Sequence, residues 1–167
     1  ATVKFNSSLV QQWFKTLDQA AKNDRATGIW VDAANDVYVT GRSSNGSDDD
    51  YVTIKYLGAN GANGWSSPKL YDSNGDDHAL DIAGNANQVV VSGTKFNGLQ
   101  KDIQTIAYNP STGAVLWSTA YANSNGKDED VSHVAIGPND AVIITGTTDG
   151  PASAVTDKNI LTLKYNG

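Results

Sequence analysis

The run Asp72-Ser73-Asn74-Gly75-Asp76-Asp77 sets oxygen ligands at alternate positions, Asp72, Asn74 and Asp76. Alternate residues of a tight loop can converge on one hard cation, and calcium takes six to eight oxygens. The pattern matches the opening of a calcium loop, and calcium is the one cofactor this sequence suggests. Two features weigh against it. Leu80 and Ala83 stand where further acidic ligands belong, and the matching loops Asn123-Ser124-Asn125-Gly126-Lys127 and Asp18-Gln19-Ala20-Ala21-Lys22 each carry a lysine. A plain turn is the simpler reading. Ser47-Asp48-Asp49-Asp50 is a second acidic cluster, whose ordinary reading is a solvated loop.

Among the aromatics, Trp13, Trp65 and Trp117 recur in one column and read as packing, although aromatic pockets can also stack sugars. Trp30 and Tyr121 depart from their columns and are the better candidates for ligand contact. The acidic column Asp24, Asp77, Glu129 can bind cations at a channel mouth, or cap strands by accepting backbone N–H bonds; a repeated column favours capping. His78 and His133 are the only histidines. Aligned on the repeat glycines, His78 matches Val131 rather than His133, so no Ser-His-Asp set or paired metal site follows. The glycines sit in hairpins, with no phosphate-binding loop before a helix. No active site is legible, and the expectation is a protein that is not an enzyme.

The chain has 167 residues, 39% of them hydrophobic, with a formal net charge of -6 and neither cysteine nor methionine. The acidic balance disfavours nucleic acid and anionic lipid. Without cysteine there is no disulfide or thiolate metal site. No apolar run approaches the ~18 residues of a membrane span, so no membrane insertion is expected. A surface rich in Asn, Ser, Thr and Gly and poor in lysine suggests a secreted, extracellular or cell-surface location. The N-terminal Ala1-Thr2-Val3-Lys4-Phe5 reads as a strand, so any signal peptide is expected to have been removed.

The elements that position these residues follow from an internal repeat. Asn35-Asp36-Val37-Tyr38-Val39-Thr40-Gly41 returns as Asn87-Gln88-Val89-Val90-Val91-Ser92-Gly93 and as Asp140-Ala141-Val142-Ile143-Ile144-Thr145-Gly146, with the glycines 52 and 53 residues apart. Such a period signals a repeat architecture. Asn-Gly turn signals separate short runs rich in Val, Ile, Thr, Tyr and Trp, which predicts antiparallel hairpins. In the most complete copy the strands are 78–83, 88–93, 102–108 and 114–121. The best helical candidate, 10–21, aligns with a strand and loop instead. The second strands are apolar on both faces, as expected for a sheet sandwiched between two others. The predicted fold is all-β: a single domain, 1–167, of antiparallel four-stranded blades of β-propeller type, three repeats per chain, divided as 1–20, 21–72, 73–122 and 123–167.

The columns Asn23-Asp24-Arg25-Ala26-Thr27-Gly28-Ile29-Trp30-Val31-Asp32, Asp36-Val37-Tyr38-Val39-Thr40-Gly41 and Asp50-Tyr51-Val52-Thr53-Ile54-Lys55-Tyr56 resemble the SBBP family of β-propeller repeats. Ala1-Thr2-Val3-Lys4-Phe5-Asn6-Ser7-Ser8 with Val10-Gln11-Gln12-Trp13 is similar to it as well. The resemblance implies a propeller, often a tandem module of secreted or surface bacterial proteins, and no common catalytic activity.

The strands count as two, then four, four and three, whereas propellers close with about four or more blades. Three ways to complete the architecture are open: two chains closing one ring, a longer propeller, or terminal strands pairing between molecules. Each drives association, because an exposed strand edge is a template for pairing. A homo-oligomer is therefore expected through Thr2, Val3, Phe5, Val10 and Trp13 at one end and Ile160, Leu161, Leu163 and Tyr165 at the other. The expected role is structural or adhesive, as in a filament subunit. The alternative is a carbohydrate-binding propeller module, with a glycan as partner.

Overall fold

The computed structural model describes residues 1–19, 23–124, 126–150 and 157–166. Thirteen strands form four antiparallel sheets among these residues. The first sheet pairs β1 (Thr2–Phe5) with β2 (Gln11–Lys15). The second is β3 (Asp24–Val31), β4 (Val37–Ser44), β5 (Asp49–Tyr56) and β6 (Lys69–Tyr71), in chain order. The third repeats that order with β7 (Asp77–Gly84), β8 (Val89–Phe96), β9 (Lys101–Tyr108) and β10 (Val115–Tyr121). The fourth holds β11 (Glu129–Ile136), β12 (Val142–Asp149) and β13 (Lys158–Tyr165). The strand count and its division agree with the expectation, and each four-stranded sheet is a meander. Among the described residues no sheet closes on itself. The helical candidate 10–21 is strand over Gln11–Lys15, and its last residues, Ala20 and Ala21, lie outside the described residues.

The repeated glycine has a structural cause. Gly41, Gly93 and Gly146 stand opposite Ala26, Ala79 and Val131, where the first strand of each sheet shifts register by one residue. The bulge pushes the backbone of the first strand against the second. A Cβ on these glycines would run into the carbonyl oxygens of Arg25, His78 and Asp130 respectively. Only glycine fits opposite such a bulge.

Neighbouring sheets stack face to face. The second and third bury Tyr38, Tyr51, Trp65, Ile82, Val91, Ile106 and Tyr108 between them. The third and fourth enclose Val90, Ile103, Val134, Val142 and Ile144. The second strands are apolar on both sides because each inner sheet is covered twice. Polar atoms in this layer are paired across strands: Thr40 with Thr53 at 2.9 Å and Ser92 with Thr105 at 3.0 Å. Such pairing removes the penalty of burying a hydroxyl.

The stacking places residues one repeat apart in contact. Thr27 Oγ1 donates to the Ala79 carbonyl at 2.7 Å, Tyr51 Oη to the Gln104 carbonyl at 3.1 Å, and the Val134 amide to Asp81 Oδ2 at 2.8 Å. One register expectation is corrected. Ala79 and Val131 both face their sheet's glycine, so His78 matches Asp130, and His133 matches Asp81. The turn after the first strand holds residues 85–88 in the third sheet and 137–141 in the fourth, where a 3-10 turn at Pro138–Asp140 accommodates one extra residue. The repeat offset is therefore 52 before that turn and 53 after it.

Candidate functional site

A clasp recurs where one sheet meets the next. Trp13 Nε1 and Lys4 Nζ both donate to the Gly58 carbonyl, at 3.2 and 2.6 Å. Trp65 Nε1 and Lys55 Nζ both donate to the Pro110 carbonyl, at 3.0 and 3.2 Å. Gly58 and Pro110 each lie two residues past the aromatic that ends a third strand. The tryptophan rings rest on glycines of the same hairpins, Gly61 under Trp13 and Gly113 under Trp65. Trp13, placed by the sequence among assembly residues, is thus buried within its own chain. Trp65 precedes β6 rather than lying in a strand, yet its ring takes the equivalent place. The lysine that recurs before that aromatic (Lys4, Lys55, Lys164) was the legible trace of this clasp.

Beside the second clasp lies a groove lined by Trp30, Asp32, Asp36, Tyr38, Lys55, Asn85, Pro110 and Ser111. Trp30 packs on Tyr38 with ring centroids 5.0 Å apart, and Gly84 leaves room for its ring. Tyr38 Oη lies 3.1 Å from Asp32 Oδ2 and 3.2 Å from the Pro110 carbonyl. Lys55 Nζ meets Asp36 Oδ2 at 3.0 Å and sits 4.9 Å above the centre of the Tyr38 ring. Burial raises the Asp36 pKa, but the Gly58 amide and the Lys55 ammonium outweigh it and hold it below the usual value. Tyr121 does not join this groove. It is half-buried against the core between the third and fourth sheets, opposite Ile103, so the two ligand candidates are not brought together.

The loop ligands are separated too. Asp72 Oδ1 accepts the Asn74 amide at 2.5 Å, and Asn74 takes a left-handed backbone, φ 65, as turns require. Asp72 lies with Asp48 and Asp50, whereas Asp76 lies with Asp49 and His78. In the second group Arg42 Nη1 already meets Asp49 at 3.2 Å and His78 Nε2 at 2.9 Å. His133 is exposed, with Nδ1 3.5 Å from Asp81.

The acidic column anchors the chain before each first strand. Asp24 accepts the Gln19 amide at 3.1 Å, and Asp77 accepts the Ser73 amide and hydroxyl at 2.6 and 2.7 Å. Glu129 is fully buried and accepts from Thr148 Oγ1 at 3.2 Å and from the Asn123 backbone amide. Burial pushes its pKa above the ordinary 4.5. A carboxyl whose pKa is raised on folding contributes less stability as pH rises through the raised value. His78, pulled down by burial and by Arg42, works the other way, so the informative quantity is a difference between proteins sharing it. The Glu129→Gln variant is expected to gain stability relative to the parent as pH rises from 4.5 towards neutral, in urea melts at several pH values. A constant difference would refute this.

The terminal faces differ from the internal ones. Along the third strands, Tyr51 and Ile103 face the following sheet and are both 0% exposed, while Ile160 in the same column of β13 is 87% exposed. Leu161, Leu163 and Tyr165 point inward and help cover the fourth sheet's core. Of the residues expected to mediate assembly at that end, Ile160 alone faces out. At the other end Val3 and Phe5 are exposed, in the columns of Ile54 and Tyr56, which are buried. Phe14, opposite Val3, and Val10 in the connecting turn are exposed as well, while Thr2 lines a cavity against the second sheet. Ile29 on β3 is 61% exposed, whereas Ile82 and Val134 in its column are 5% and 8% exposed. No helix among the described residues is long and apolar enough to cross a membrane. No protein-family model matches the chain, and a search of characterised proteins finds no match.

Proposed function

We propose that this protein is an extracellular structural or adhesion module of propeller-type blades that assembles head to tail. The back of the last sheet meets the front of the first sheet of a second copy. The observation that supports this reading is Ile160, 87% exposed where both internal counterparts are fully covered. At the opposite end Val3, Phe5 and Phe14 offer an apolar patch on the face that internal sheets bury. Lys164 stands in the column of Lys4 and Lys55, so stacking by the same rule brings its ammonium to the Ser7 carbonyl of the next copy. Repetition of a heterologous contact builds a ring where the rotation closes and a filament where it does not.

Sedimentation velocity over a concentration series tests it. The parent chain is expected to form species larger than monomer. Ile160→Lys blocks one end and Phe5→Lys with Phe14→Lys the other; each variant alone is expected to be monomeric, and their mixture to stop at dimers. A parent that stays monomeric at all concentrations sinks the proposal.

A second reading, carbohydrate binding, is favoured by the groove around Trp30, where an aromatic face lies beside Asp32, Asn85 and Ser111. Glycan-array binding that disappears in Trp30→Ala supports it, and binding unchanged by that substitution removes it.

A further inference from the structure

We propose that Asp48, Asp50 and Asp72 form a calcium site between the β4–β5 turn and the residue following β6. One oxygen from each carboxylate lies within 4.8 Å of the others. That is the span an ion bridges with ligand distances of about 2.4 Å, typical of calcium. The ligands are all oxygens, and none is nitrogen or sulfur, which suits a hard cation.

Asp50 supplies the independent sign that something belongs there. Asp50 is 6% exposed, and its Oδ1 has no hydrogen-bond partner among the described residues. Its other oxygen accepts from Asn45 Nδ2 at 3.1 Å, and the same amide donates to Asp48 Oδ1. A buried carboxylate oxygen without a partner is costly, and native structures rarely leave one. Burial and the charges of Asp72, Asp48 and Asp77 push the Asp50 pKa up, which outweighs the Asn45 bond.

The next sheet shows the same turn built without a need for a cation. Asn97 stands for Asn45 and Asp102 for Asp50, and Asn97 Nδ2 donates to Asp102 Oδ2 at 3.0 Å. Gln100 takes the place of Asp48, and its amide donates to Asp102 Oδ1 at 3.3 Å, the oxygen that is orphaned in Asp50. Asp72, which follows Tyr71, is replaced by Ala122, which follows Tyr121. Where the two acids are absent, a second amide satisfies the remaining carboxylate oxygen; where they are present, no donor among the described residues reaches it. The neighbouring group of Asp49, Asp76 and His78 differs because Arg42 already supplies its positive charge.

The test is calorimetric titration of the chelator-stripped 167-residue chain with calcium chloride, at fixed ionic strength, alongside thermal melts. The expected result is one site per chain, with a dissociation constant on the order of 10⁻⁴ M, and a rise in melting temperature with calcium. The Asp48→Gln variant, which copies Gln100, is expected to lose the calcium response and to melt higher than the parent in chelator. Asp72→Ala, which copies Ala122, is the second variant and is expected to weaken binding at least tenfold. Asp76→Asn is expected to bind as the parent does. A parent without calcium heat or melting shift overturns the site, and so does binding that survives Asp48→Gln and Asp72→Ala or that is lost in Asp76→Asn.

Discussion

Gly93→Ala is expected to destabilise the protein by about 3–5 kcal/mol, a large share of the roughly 5–15 kcal/mol that holds a domain together. The cause is steric. The added methyl would collide with the His78 carbonyl oxygen and crowd Ala79 Cα, both of them backbone. Backbone cannot rotate out of the way as a side chain can. Relief therefore requires β7 and β8 to separate at the bulge between Ala79 and Asp81, which breaks the pairing that carries Ile82 into the core. The sheet cannot shift as a unit, because the second and fourth sheets pack on its two faces. Gly146→Ala makes the same collision with Asp130, but in a sheet covered on one face only, so a smaller loss is expected there. Urea denaturation of both variants measures this. A loss below about 1 kcal/mol at Gly93 would mean that the bulge relaxes freely.

The second large effect is expected at the clasp. Trp65→Ala removes a buried indole that packs on Tyr38 and Tyr108, with ring centroids 5.6 and 5.8 Å away. Truncating a buried tryptophan costs about 3–5 kcal/mol when the space cannot collapse. Here Gly113 and the Pro110 turn form one wall and the second sheet the other, so little collapse is available. Trp65→Phe is expected to cost far less, about 1–2 kcal/mol, because the Pro110 carbonyl keeps Lys55 Nζ and Tyr38 Oη as donors. The pair of variants separates ring packing from the indole hydrogen bond. Equal losses would show that the hydrogen bond dominates. Trp117 is a useful contrast. It is half-buried and turns its N–H to the Gln88 side chain, Oε1 at 3.3 Å, so Trp117→Ala is expected to cost less than Trp65→Ala.

Much of the architecture was legible in the chain. Local chemistry marks strands and turns, and the recurrence of Val-Val-Val beside glycine reveals a sheet covered on both faces. The thirteen strands and their antiparallel order follow from that pattern. The glycine column was legible as a repeat, but its reason was not, because a close approach between two strands leaves no mark beyond the glycine itself. The histidine alignment failed for a related cause. One residue added in the turn at Pro138–Asp140 changes the offset within a single repeat, and spacing between glycines does not say on which side of them the residue was added.

The candidate sites were read less well, and the residues show why. Asp72, Asn74 and Asp76 alternate as a ligand set should, yet the turn at Asn74 sends the two acids into different groups. Their partners, Asp48, Asp49 and Asp50, belong to a hairpin more than twenty residues earlier. Trp30 and Tyr121 were linked by their departure from the repeat columns, but Tyr121 stands opposite Ile103 as Tyr71 stands opposite Tyr51 and so keeps its column, and the fold assigns the two to different sheet junctions.

The sequence by itself determined the elements and their repetition, since hydrophobic periodicity, β-branched residues and Asn-Gly turns act over a few residues of chain. Only the tertiary structure decided which oxygens converge, which tryptophans are clasped and which strand faces stay open. Those outcomes depend on contacts between residues far apart in the chain, made within one sheet for the acidic group and through the stacking of neighbouring sheets for the clasp. Asp50 and Asp102 occupy the same place in the repeat, and what distinguishes them is the neighbour that the turn and the adjacent strand of the same sheet bring to one oxygen.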